Sequence, residues 1–152
     1  MRARAVRIRS LAANLAVFVG AVLVVNAIVF GLRFPGAAGD PSGPPGWVVG
    51  LVWTALFTLF GTAHWMLQAP ANGAGARFWL AAFAILCLSY PFYTLGLGNR
   101  SIGLAGNVVT GFAAILLVRR LRAASETAAL LVAPVLPWLV FASWSILPAV
   151  RE

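Results

Sequence analysis

Polar positions are so sparse along this chain that the apolar runs between them define its elements. From Leu11 to Leu32 only Asn14 and Asn26 interrupt the apolar residues, and comparable runs begin near Trp47, Arg77, Ser101 and Thr127. Each is about 20 residues long, enough at about 1.5 Å rise per residue to cross the hydrocarbon layer of a bilayer. The breaks hold turn formers: Pro70, Asn72, Gly73 and Gly75 in one, Gly96, Gly98 and Asn99 in another. The pattern predicts helices over about 11–32, 47–68, 77–97, 101–118 and 127–149, with Arg119 to Glu126 as a basic loop. Ser125 and Thr127 both offer N-caps for the fifth. The fold class that follows is an all-α integral membrane protein, a five-transmembrane-helix bundle forming a single domain over residues 1–152.

Residues 33–46 make the longest break, with four of the nine prolines and four of the fifteen glycines, which excludes helix and regular strand. A loop of this length in so compact a chain serves as a lid or binding loop, or as a plain connector. Pro91 should kink the third helix, and Pro134 and Pro137 interrupt the fifth. The fourth helix is rich in small residues, with Gly103, Gly106 and Thr110 on one side, which favours close packing within the bundle or between subunits.

The second helix carries two stripes. Trp53, Phe57, Phe60 and His64 stand at i, i+4, i+7 and i+11 on one face; Gly50, Thr54, Thr58 and Gly61 lie on the next, open to a close neighbour. In the fifth helix Pro134, Trp138, Phe141 and Ser145 repeat the aromatic spacing. Such stripes are either bundle core or the wall of a cavity for a flat apolar ligand. The six tryptophans divide by depth. Trp47, Trp65, Trp79 and Trp144 suit interfacial belts, whereas Trp53 and Trp138 lie deeper than a belt requires.

Composition agrees with the membrane assignment: 62% hydrophobic residues, 9% charged, and a net charge of +8 carried by eleven arginines. The N-terminus, the second-to-third break and the fourth-to-fifth break hold four, one and three arginines, against Arg33, Arg100 and Arg151 on the other side. By the positive-inside rule the N-terminus is cytoplasmic and the C-terminus outside. The basic N-terminal run resembles a secretory signal, but its apolar stretch is longer than such signals use, so it is taken as a retained first helix. With no soluble domain to present the charge, nucleic acid is excluded as a partner.

Chemistry is thinly supplied. Asp40, Glu126 and Glu152 all fall outside the spans, His64 is the single histidine, and Cys87 the single cysteine. Acid–base, metal and nucleophilic catalysis therefore lack residues, and no catalytic group, metal or cofactor is expected. His64 reads as a polar group near the interface or as an axial metal ligand. Asn26 reads as an interhelical bond or an interfacial residue.

Pro44-Pro45-Gly46-Trp47, Trp53-Thr54, Gly61 and Trp65, together with Ala133-Pro134-Val135-Leu136-Pro137-Trp138, resemble the TspO/MBR family (tryptophan-rich sensory protein, translocator protein). The third helix departs from the family pattern, with Ser89-Tyr90-Pro91-Phe92-Tyr93 where an Asn and a Trp usually precede Ser/Thr-Pro. The resemblance implies a five-helix bundle, commonly a homodimer, that binds tetrapyrroles such as protoporphyrin and heme or sterol-like molecules within the membrane lipid. It makes Trp47, Trp53 and Trp138 ligand-binding candidates, joined by Phe57 and Phe141 from the stripes. Trp53 and Trp138 are expected to face each other across one pocket closed by residues 33–46. The expected function is a membrane receptor, sensor or carrier for a planar hydrophobic ligand, in a bacterial inner membrane. A porphyrin-degrading enzyme and an interaction protein without a small-molecule site are the alternatives.

Overall fold

The computed structural model describes residues 2–34, 44–94 and 99–147, with side chains from Ser10 onward. Six helical segments make five spans: α1 (Arg2–Gly31), α2 (Gly46–Met66), α3 (Gly73–Thr94), α4 (Arg100–Ala124), and a fifth divided into α5 (Glu126–Val132) and α6 (Val135–Ile146). All five are long and apolar enough to cross a membrane. The all-α five-span bundle expected from the hydropathy is the fold observed.

Two ends can be distinguished. The basic end gathers Ser10, Met66, Gly73, Ala124 and Glu126; the distal end gathers Gly31, Gly46, Thr94, Arg100 and Ile146. Neighbour packing runs α1 to α2, α2 to α5, α5 to α4, α4 to α3, with α3 touching α1 and closing the ring. Sequential helices are thus not always adjacent. The fifth span wedges between the second and the fourth.

Several boundaries differ from the hydropathy reading. Helix α1 begins at Arg2, about two turns before the apolar run, and α4 continues through Arg119, Arg120 and Arg122 to Ala124, where a basic loop was expected. Arginine, alanine and leucine are strong helix formers, so charge marks where water begins and not where the helix stops. Ser125 is the residue that stops it. Its backbone turns extended, and its Oγ accepts from the Ala128 N–H at 3.2 Å to cap α5. Helix α3 starts at Gly73, within the expected turn, and contains Pro91. The fifth span breaks at Ala133-Pro134, because Pro134 and Pro137 have no N–H for the carbonyls one turn earlier. Most of the long loop 33–46 and the C-terminal residues after 147 lie outside the described residues.

The glycine stripe of α2 does receive a neighbour. A Cβ at Gly61 would lie 3.2 Å from the Phe18 Cβ and 3.3 Å from the Asn14 carbonyl, and one at Gly50 would meet Asn26 and Phe30. Asn26 reaches across, its Nδ2 donating to the Gly50 carbonyl at 3.4 Å, so it makes the interhelical contact. In α4, Gly106 lies under the Tyr93 ring and Gly103 near Thr94 and Ile146. The small-residue face of α4 therefore packs against α3 and α6 of the same chain.

The apolar core fills only part of this ring. Phe18, Phe57, Phe60, Leu80, Leu121 and Val132 are among its buried members, and its distal boundary runs through Leu56, Cys87, Ala114 and Leu139. Distal to that boundary the buried described residues are Val29, three glycines and three polar side chains, Thr94, Asn107 and Thr110. Among the described residues hydrocarbon closes the basic half, whereas three of the four buried side chains of the distal half are polar.

Candidate functional site

Two of the aromatic side chains singled out by spacing, Trp53 and Trp138, pack against the core near that distal boundary. Trp47, in the first turn of α2, is 67% exposed. Trp53 lies almost two turns deeper and is half-buried, packed against the apolar core with its ring 6.2 Å from Phe57. Phe57 is only 1% exposed, held between Phe18 and Phe60 at centroid distances of 6.4 and 5.3 Å. It supports Trp53 from behind.

On α6, Trp138 repeats the placement of Trp53. It packs against the core, stays half-exposed, and pairs with Phe141 at 5.6 Å. Phe141 itself is 47% exposed. The break at Pro134 decides where this pair stands, because α5 packs against both α2 and α4 while α6 keeps chiefly to α4. Beyond the break the fifth span parts from α2, and Trp53 and Trp138 stand on the two helices that part. Of the five candidates, Trp47, Trp53 and Phe141 lie distal to the core boundary, Trp138 lies at it and Phe57 just inside the core, with the two deep indoles alone among them in being both core-packed and partly open.

Two other tryptophans, Trp144 and Trp79, are more exposed. Trp144 is 77% exposed, and Trp79 at the basic end is exposed beneath the Arg120 guanidinium, 4.6 Å from its ring centroid. Their exposure on apolar helices suits an interfacial belt.

His64 falls away from the aromatic group. Its Nδ1 meets the Asn14 Oδ1, and its ring lies 5.2 Å from Phe18, so it belongs to the α1–α2 seam at the basic end. Sequence reasoning missed this partnership. The signal was there: each polar residue sits about one turn or less inside the same end of antiparallel neighbouring spans. Among the described residues no three His, Cys, Asp or Glu side chains gather as metal ligands would.

Spacing also passed over Asn107. It lies at the same level as the indoles: seven residues from the start of α4, as Trp53 is seven from the start of α2, about 10 Å of helix in each case. Asn107 and Thr110 share the buried face of α4, and the tyrosines of α3 stand beside them, Tyr90 next to Asn107 and Tyr93 next to Thr110. What this half of the bundle offers chemically is flat aromatic surface beside a small group of uncharged hydrogen-bonding atoms. That combination suits binding and orienting a ligand.

The sequence profile of the TspO/MBR family matches residues 11–146, which takes in all five spans and both deep tryptophans. No curated protein matches the chain.

Proposed function

The chain belongs to the TspO/MBR family, and from that premise we propose that it is a membrane receptor, sensor or carrier for a planar hydrophobic ligand, a tetrapyrrole such as protoporphyrin or heme. Family membership and five apolar spans make it an integral membrane protein. The ligand reading rests on one observation: Trp53 and Trp138 are neither sealed in the core like Phe57 nor spread on the surface like Trp144. A half-buried indole backed by a second ring presents a rigid flat face at little entropic cost, which suits stacking on a macrocycle.

Phe141, paired with Trp138, extends this aromatic surface toward the distal end, Phe57 braces Trp53, and Trp47 stands exposed in the first turn of α2. The proposal includes an inner membrane with the N-terminus in the cytoplasm, supported by the arginine distribution, and assembly as a homodimer, supported by the family resemblance. Titration of protoporphyrin into the purified protein tests the central claim. Saturable quenching of tryptophan fluorescence with a shift of the Soret band is the expected result. Binding of a sterol without binding of any porphyrin would redirect the proposal to a different ligand, and binding of neither would end it.

A further inference from the structure

Most hydroxyls in these spans are satisfied at home. Those of Thr54, Thr58, Thr62, Thr94 and Ser143 donate to the carbonyl four residues back, at 2.7–2.9 Å. Two side chains on α4 break the rule. Asn107 and Thr110 are 2% and 1% exposed, yet the Asn107 Nδ2 and the Thr110 Oγ1 have no hydrogen-bond partner. The Tyr90 and Tyr93 hydroxyls are the polar groups within reach, Tyr90 interacting with Asn107 and Tyr93 with Thr110, but neither contact meets the distance and angle of a formed hydrogen bond. A buried donor left unmade is costly, and a chain that places two of them three residues apart on one helix face is holding them for something.

Their position says what for. On the buried face of α4 the apolar residues Ala114, Leu117 and Leu121 lie toward the basic end, and Thr110, Asn107 and Gly103 continue the same face toward the distal end. The change from hydrocarbon to hydrogen-bonding groups occurs at the distal boundary of the core, against which Trp53 and Trp138 also pack. Tyr93 covers this part of α4 only because Gly106 has no side chain; a Cβ there would come within 2.8 Å of the ring. The cover over Gly106 is thus one aromatic side chain, movable by rotation about its own bonds, with Tyr90 beside Asn107.

We propose that Asn107 and Thr110 form the polar subsite of the distal ligand region, donating hydrogen bonds to an oxygen acceptor on the ligand, a carboxyl or ester carbonyl at the periphery of the macrocycle. The inference rests on the tetrapyrrole reading and adds the ligand's orientation to it. The indoles take the flat face, and the amide and hydroxyl take one oxygen-bearing edge. The donors are uncharged, and the arginine of α4 on this side, Arg100, stands about 10 Å along the helix, so a neutral carbonyl suits the subsite better than an ionised group.

The test uses two porphyrins that differ in the oxygen: mesoporphyrin dimethyl ester and the all-alkyl etioporphyrin. The parent protein should bind the ester about tenfold more tightly, the difference one well-made hydrogen bond supplies. Asn107→Leu should reduce that preference to within about twofold while leaving etioporphyrin affinity near the parent's. The near-isosteric Thr110→Val should weaken the ester in part and raise the unfolding temperature measured without ligand, because it removes an unsatisfied hydroxyl. Equal binding of both porphyrins by the parent, or a preference that survives Asn107→Leu, overturns the subsite alone. A lower unfolding temperature for Thr110→Val also overturns it, since the hydroxyl would then be satisfied within the fold. If the parent binds neither porphyrin, the tetrapyrrole reading fails and takes the subsite with it.

Discussion

The imidazole of His64 and the amide of Asn14 join α2 to α1, with His64 Nδ1 and Asn14 Oδ1 2.5 Å apart. The amide's own bonding fixes the direction. Asn14 Nδ2 donates to the Ser10 carbonyl at 2.6 Å, which leaves Oδ1 as the acceptor, so the imidazole carries its proton on Nδ1. His64 is in this way a structural tie between two spans, its Nε2 lone pair directed elsewhere.

Asn14→Leu should therefore loosen the α1–α2 seam, by about 0.6–2 kcal/mol for an interhelical hydrogen bond in a membrane. Thermal unfolding in detergent measures it. Nitrogen chemical shifts of the histidine ring should show the Nδ1–H tautomer in the parent and lose that signature in the variant; an Nε2–H ring in the parent would contradict the assignment.

Gly61 permits the same seam. Its hypothetical Cβ meets backbone atoms of α1 as well as a side chain, at 3.3 Å from the Asn14 carbonyl and 3.4 Å from the Leu15 Cα, and backbone cannot rotate out of the way. Gly61→Ala should cost about 1–3 kcal/mol through overpacking. Gly20→Ala and Gly111→Ala, where nothing stands within 4 Å, should be neutral or slightly stabilising. Equal behaviour of all three variants would show that α1 and α2 do not approach closely at Gly61.

Trp53→Ala and Trp138→Ala should each weaken porphyrin binding about tenfold or more, taking stacking on an indole as about 1–3 kcal/mol by analogy with base stacking. Trp65→Phe and Trp79→Phe, toward the basic end, serve as controls and should bind as the parent does. The measurement is the same fluorescence and Soret titration. Parent-like affinity in all four would reduce both deep indoles to core packing.

Topology is open to a direct check. Eight of the eleven arginines lie at the basic end or in the N-terminal extension of α1, so a reporter fused at residue 1 should be active in the cytoplasm. A reporter after residue 152 should be active outside. Activity of the C-terminal fusion in the cytoplasm would reverse the orientation or change the number of spans.

Hydropathy alone determined the number of spans and their approximate limits, because a bilayer imposes the same demand on every segment that crosses it. It also located Trp53 and Trp138 as unusual, since depth along a helix is a matter of counting residues. The helix ends at Arg2 and Ala124 were less legible: the hydrophobic pattern reports where water begins, and a helix of arginine, alanine and leucine continues past that point. Neighbours in space were not legible at all. That α5 lies between α2 and α4, that Asn14 meets His64 across 50 residues of chain, and that Asn107 is buried without a partner depend on which faces of the spans meet. In a chain this uniformly apolar every face is acceptable to lipid, so hydrophobicity cannot choose among them. Packing of small residues and the placement of a few polar atoms make that choice, and only the assembled bundle shows it.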